Sequence, residues 1–391
     1  MLPTRKNDSV HDLNRETFAS KKPLRMKTTF SRAGTILCVS LIASALAVGA
    51  PAQTAKKAPP VKPTPTLSPL LVDKSGHDIK TKEEWLKQRE QIRRDWLAAL
   101  GIEIPSHRAP LKTEILNTEE LPTFTRQHLK YQIENGVYTD GYLLTPKNLK
   151  GKAPAIVVFH PTTPLQAKGV AGLAPEYGEE KRQGLQLVER GYIVWCPRNF
   201  IFDKVPGLVD GIKLYVANVA TMQKRDPKRT GMGRMVLEAV RAADFVESLP
   251  NVDAKHIGGI GHSLGGKQVV YAAAFDERYQ AVVSSEGGIG LTFSNWEAVW
   301  YLGPQIKESK WKLENHQVLS LIAPRAFFLL AGDSSDDQRS GAFIEAARPI
   351  YSLFQAEKNL SWLNHHQGHR YGPDARKAAE DFLDAYLKPQ H

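Results

Sequence analysis

Ile257-Gly258-Gly259-Ile260-Gly261-His262-Ser263-Leu264-Gly265-Gly266 is the stretch on which the reading of the fold turns. Ile257 to Ile260 reads as a strand buried on both faces, and Leu264 to Phe275 as a helix. Between them, Gly261-His262-Ser263-Leu264-Gly265 has the G-x-S-x-G spacing in a strand-turn-helix setting, which lifts a serine hydroxyl to the carboxyl end of a strand. The flanking glycines let strand and helix backbones approach without side-chain collision while the serine takes a strained conformation. The new helix adds unpaired N–H groups and its positive end. Ser263 is therefore the expected nucleophile, and the Leu264 N–H an expected donor to a developing oxyanion. A Gly-rich packing turn with an incidental serine is the competing reading. Gly258, Gly259 and Gly261 also look superficially like a dinucleotide fingerprint, but a serine turn accounts for them more completely.

Around this stretch, short apolar runs alternate with helical patterns. Ala155 to Phe159, Tyr192 to Trp195, Ala281 to Val283 and Ala326 to Leu330 read as buried strands. Glu179 to Arg190, Arg234 to Leu249, Gly341 to Gln355 and Asp374 to Leu387 read as helices. Upstream, Leu111 to Thr145 alternates in short runs, with Asn135-Gly136 and Asp140-Gly141 as turn signals for antiparallel strands. Thr81 and Glu84 have capping-box spacing before a helix that ends at Gly101, with Trp85, Ile92, Trp96 and Leu100 on one packing face. The expected fold is α/β: a doubly wound, mostly parallel sheet with antiparallel N-terminal strands and an N-terminal helix.

A serine nucleophile needs a histidine to take its proton and a carboxylate to orient that histidine, in the chain order Ser, acid, His for this setting. His369 is the expected base, because Gly368-His369 follows the last strand and precedes the last helix. His365 and His366 belong to the strand's end and are expected to play supporting roles. The acid is sought in Gly332-Asp333-Ser334-Ser335-Asp336-Asp337, after the Ala326 strand. Asp336 is preferred over Asp333 and Asp337, with Glu286, after the Ala281 strand, as the outside candidate. The second oxyanion donor is expected from His160-Pro161-Thr162-Thr163. Pro161 has no N–H, so Thr162 is chosen, and His160 is read as structural.

The chain has 391 residues and a formal charge of +11. Residues 1–52 hold eight basic residues against three acids, and Lys56, Lys57 and Lys62 add three more charges, leaving +3 on the rest. The excess is thus not a nucleic-acid footprint. It precedes the apolar run Ile36 to Val48 and an Ala-x-Ala site at Ala50 and Ala52, the pattern of a secretory signal, with an uncleaved anchor as the competing reading. Residues 1–52 are assigned to this signal, with Met26 as an alternative start, residues 53–75 to a Pro-rich tether, and residues 76–391 to one folded domain. The expected location is periplasmic or extracellular, with membrane contact only during export. Two cysteines exclude a disulfide scaffold, and Cys196 reads as a buried strand residue. Neither metal nor cofactor is implied.

Taken together, Phe159-His160-Pro161-Thr162-Thr163, Gly261 to Gly266 and Gly368-His369 resemble the α/β-hydrolase superfamily over about Leu111 to Leu387, and within it the dienelactone hydrolase and acetyl xylan esterase-like group. That resemblance implies a Ser-His-Asp ester hydrolase acting on small-molecule or carbohydrate-linked esters. Strict dienelactone hydrolases have cysteine where Ser263 stands. Lys267 matches the lysine of the glucuronoyl-esterase motif G-C-S-R-x-G-K, but Leu264 replaces its arginine, so Lys267 is expected to be a solvated helix residue. A peptidase of the prolyl-oligopeptidase kind, a glucuronoyl-esterase-like carbohydrate esterase and a non-catalytic binding protein are the alternatives. Trp296, Trp300 and Tyr301 are expected to pack in the core.

Overall fold

The computed structural model describes residues 63–388. The signal and most of the tether lie outside the described residues. A capped helix, α1 (Lys82–Leu100), comes first. Thr81 and Glu84 bond reciprocally to each other's backbone, and Gly101 closes the helix at φ 66°. Trp85, Ile92, Trp96 and Leu100 are all buried, as their spacing predicts. The chain then runs β1 (Glu114–Glu120), β2 (Phe124–Glu134), β3 (Val137–Pro146), β4 (Ala153–Phe159), α2 (Gln166–Val170), α3 (Gln183–Glu189), β5 (Ile193–Pro197), α4 (Ile212–Arg225) and α5 (Gly231–Glu247). It continues through β6 (Val252–His262), α6 (Leu264–Phe275), β7 (Tyr279–Ser285), α7 (Asn315–Ser320), β8 (Ala326–Ala331), α8 (Gly341–Leu353), β9 (Leu360–Asn364) and α9 (Pro373–Leu387).

These strands form one sheet in the order β1-β2-β3-β5-β4-β6-β7-β8-β9. β1, β2 and β3 pair antiparallel, and the ladder from β5 to β9 is parallel. Apolar side chains fill both faces. One cluster includes Trp85, Trp96, Tyr131, Trp195 and Phe245, and the other Ile156, Val194, Ile260, Val283 and Leu383. The alternation of short apolar strands with helices therefore has its expected cause, a sheet covered on both sides. Cys196 is one of its buried strand residues.

Two readings change. Asn135-Gly136 does form the β2–β3 turn, but Asp140-Gly141 lies inside β3, opposite Pro197 and Arg198. Gly141 is needed there for contact, since a Cβ would stand 2.4 Å from the Cys196 carbonyl oxygen. Helix α4 has no counterpart in the sequence reading, because its exposed face carries Ile212 and Val216 and blurs the amphipathic stripe.

Candidate active site

β6 delivers the nucleophile turn to the carboxyl edge of the sheet. Ser263 has φ 59° and ψ −115°, between the end of β6 and the first residue of α6, and its N–H donates to the Ser285 carbonyl of β7. The close approach that fixes this turn falls on Gly265, where a Cβ would meet the Phe159 carbonyl oxygen at 1.9 Å. The first-turn N–H groups of α6 have no carbonyl four residues back within the helix, so they point toward the space over Ser263.

His369 follows β9 on a loop tied to β8 by the Gly368 N–H donating to the Gly332 carbonyl at 2.5 Å. Gly368 turns the chain at φ 72°. The His369 ring lies 4.7 Å, centroid to centroid, from that of His262, the residue before the nucleophile. Its Nδ1 is 3.1 Å from Oε2 of Glu286, which is wholly buried at the carboxyl end of β7. A carboxylate only accepts, so Nδ1 holds the proton and Nε2 is left as the basic nitrogen. Glu286 has φ 50°, and the same oxygen accepts the Ser335 N–H at 2.8 Å. The other oxygen, Oε1, is buried without a partner among the described residues. Ser263 and His369 are not hydrogen-bonded to each other among the described residues; such contacts commonly close only when substrate is bound.

Asp336 does not reach His369. Its carboxylate is buried and turned under the loop, accepting the Gly288 and Ile289 N–H groups at 2.7 Å each and the Ser340 hydroxyl at 2.8 Å. Burial pushes its pKa up against the lowering effect of these bonds. The geometry thus favours Glu286, the outside candidate, over Asp336 as the partner of His369. Glu286 directly follows β7 in a left-handed turn and faces the imidazole, whereas Asp336 lies five residues beyond the end of β8. Asp333 bonds Asn364 and His366 at 2.6 Å each, and Asp337 caps the short helical turn before α8 and holds Arg339.

Around this centre the buried histidines are neutral. His160 accepts the Asn199 N–H at Nε2 and donates from Nδ1 to the Pro161 carbonyl, and burial lowers its pKa to about 4. This fixes the loop that carries Thr162, whose side chain meets the Tyr301 hydroxyl. His262 bonds the Ser285 hydroxyl at 3.0 Å and is lowered to about 3 by burial.

Lys267 is not solvated. It is 3% exposed, donates to the Gly287 carbonyl, and holds its ammonium 4.4 Å from the Trp296 ring and 5.2 Å from that of Tyr301. Burial lowers its pKa to about 7, against the raising effect of Asp336. The expected core aromatics, Trp296 and Tyr301, are thus the walls of a cation cage. That cage was hidden in the sequence because it forms between residues some thirty positions apart.

Residues 139–320 match the model of the dienelactone hydrolase family. The nine-stranded sheet matches that of the glucuronoyl esterase of Solibacter usitatus with a TM-score of 0.64 at 18% identity, over 83% of this chain and 98% of that one. The chain has an α/β-hydrolase fold. YtaP of Bacillus subtilis (strain 168) is 23% identical to this hydrolase over 252 residues, 62% of this chain and 80% of YtaP. A glucuronoyl esterase of Teredinibacter turnerae has a TM-score of 0.61 at 21% identity, over 82% of the hydrolase and 89% of that chain. Among the described residues, no helix is long and apolar enough to cross a membrane.

Proposed function

We propose that this ester hydrolase works through an acyl-enzyme, with Ser263 as nucleophile, His369 as general base and acid, and Glu286 in place of Asp336 as the orienting carboxylate. The contact that carries this reading is the 3.1 Å bond between His369 Nδ1 and Glu286. Ser263 Oγ attacks the acyl carbon as His369 Nε2 takes its proton. The oxyanion is received by the Leu264 N–H and by the Thr162 N–H from the loop that His160 holds. Collapse expels the alcohol, which leaves with the proton from His369. Water, activated by the same nitrogen, then releases the acid and frees Ser263.

The substrate class proposed is a carbohydrate-linked carboxylic ester. The resemblance to chains named glucuronoyl esterase, and to a carbohydrate esterase 25% identical over 29% of this chain and 31% of its own length, supports it. Residues 1–52 are proposed as an export signal and 53–75 as a tether to the catalytic domain, giving a periplasmic or extracellular enzyme. The test is hydrolysis of p-nitrophenyl acetate by the purified protein and by Ser263→Ala. Loss of turnover in the variant supports the reading, and equal rates sink it. Comparing a glucuronate ester with acetylated xylan then separates the glucuronoyl-esterase form of this reading from the acetyl-esterase form.

A further inference from the structure

A second cavity opens on the same edge of the sheet as Ser263, and strand register places it. Gly261 of β6 lies beside Phe159 of β4, and β4 is in step with β5 through Val157 and Trp195. Pro197 of β5 pairs with Gly141 of β3, so the next residues, His262, Arg198 and Asp140, share one level at the sheet's edge, and Ser263 follows directly after His262. β6 and β3 are three strand spacings apart, about 14 Å. The cavity, lined by residues of β2, β3 and the segment after β5, has a volume of ≈ 660 Å³, and its lining includes Pro164, Leu165 and Gln166, which follow the loop that carries Thr162.

Its lining combines flat rings with unmatched positive charge. His128 stacks on Tyr142 at 4.8 Å and 18°, and Tyr138 stands beside them 40% exposed. Both lining acids are tied to Arg198, and Asp140 also bonds His128 at 2.8 Å, so this group leaves one negative charge against the two lysines that follow. Lys130 is paired with Glu114 at 2.8 Å. Lys168 and Lys204 line the cavity and are exposed, and their ammonium groups have no ion-pair or hydrogen-bond partner among the described residues. Gln166, which also lines the cavity, has φ 50°, a left-handed conformation in a residue other than glycine, of the kind that concentrates at ligand sites.

We infer that this cavity binds an acidic saccharide unit of the substrate, stacked against the rings and paired through its carboxylate with Lys168 and Lys204, while a neighbouring ester reaches Ser263. Rings of this kind offer an apolar face to a sugar's C–H surface, the two ammonium groups select for an anion, and the cavity is of ligand-site size. The inference deepens the carbohydrate-ester reading above, and binding can be measured without turnover.

The test is calorimetric titration of Ser263→Ala protein with trigalacturonic acid and with xylotriose, repeated with Lys168→Ser and Lys204→Ser added. Trigalacturonic acid is expected to bind more tightly than xylotriose and to lose affinity about tenfold or more in the lysine double variant, with xylotriose little changed. Absence of trigalacturonate binding, equal binding of the two sugars, or affinity unaffected by the lysine changes would overturn the inference. Trigalacturonate binding that depends on the lysines, in a protein that hydrolyses no ester, would uphold the cavity's role and reject the esterase reading instead.

Discussion

Replacing Glu286 by Gln tests which carboxylate serves His369. When His369 takes the proton of Ser263 it becomes an imidazolium whose Nδ1 lies 3.1 Å from Glu286 Oε2. At an effective dielectric constant of about 20, unit charges at that separation attract by about 5 kcal/mol. The His369 side chain is 40% exposed, so solvent screens part of this, leaving about 4 kcal/mol. At 1.36 kcal/mol per decade, Glu286→Gln is expected to lower kcat on p-nitrophenyl acetate about 10³-fold with little change in KM. An amide nitrogen facing Nδ1 would add to the loss by placing the imidazole proton on Nε2. Asp336→Asn makes a different change, setting an amide NH₂ among the N–H groups of Gly288 and Ile289. It is expected to cost about 1–3 kcal/mol of stability while lowering kcat per folded molecule less than about tenfold. Thermal melts run beside the rate measurements separate the two effects. If Asp336→Asn loses as much kcat per folded molecule as Glu286→Gln, the assignment of the acid is refuted.

Three further outcomes follow from packing and burial. Gly265→Ala puts a methyl 1.9 Å from the Phe159 carbonyl and should cost about 3 kcal/mol or more, read as a fall in Tm with loss of activity; a melt unchanged from wild type would show that the turn is looser than described. His160, His262 and His316 have folded pKa values of about 4, 3 and 4, below that of a free imidazole, so the unfolded chain binds more protons and stability falls as pH drops from 7 to 5. Glu238, raised to about 7 by burial, acts in the opposite sense over that window, leaving a net loss of about 3 kcal/mol from these four groups in denaturant unfolding; flat stability from pH 7 to 5 would contradict the neutral histidines. Lys267, lowered to about 7, is deprotonated in the fold before it is in the unfolded chain, so stability should rise by about 2 kcal/mol from pH 7 to 9, and Lys267→Met should lack that rise.

Much of this could be read from local signals. The nucleophile turn, the buried strands beside it, the capping box of α1 and the structural role of His160 each depend on residues close together in the chain. What escaped the sequence depends on distant ones. Choosing between Glu286 and Asp336 needs the backbone turn at Glu286 and the course of the Asp336 loop beneath Gly288 and Ile289. Lys267 reads as an ordinary helix lysine until Trp296 and Tyr301 fold over it. Asp140-Gly141 has the composition of a turn, and only the approach of Cys196 from β5 explains a glycine within a strand.

Helix α1 also bears on the order in which the molecule assembles. Arg89 is 9% exposed and donates to Glu277 and to the Leu321 carbonyl, 188 and 232 residues further along. Trp96 rests its ring 5.6 Å from that of Tyr271 and 6.1 Å from that of Trp311. During synthesis the helix therefore emerges long before the surface that covers it, with two tryptophans on its apolar side. At about 5–20 residues per second, those partners arrive some ten to forty seconds later, an interval in which a holding chaperone or an export channel would meet an unpaired amphipathic segment. The helix that opens the fold is thus among the last to find its place, and early stalling or premature collapse around it is the failure to watch for when this protein is produced.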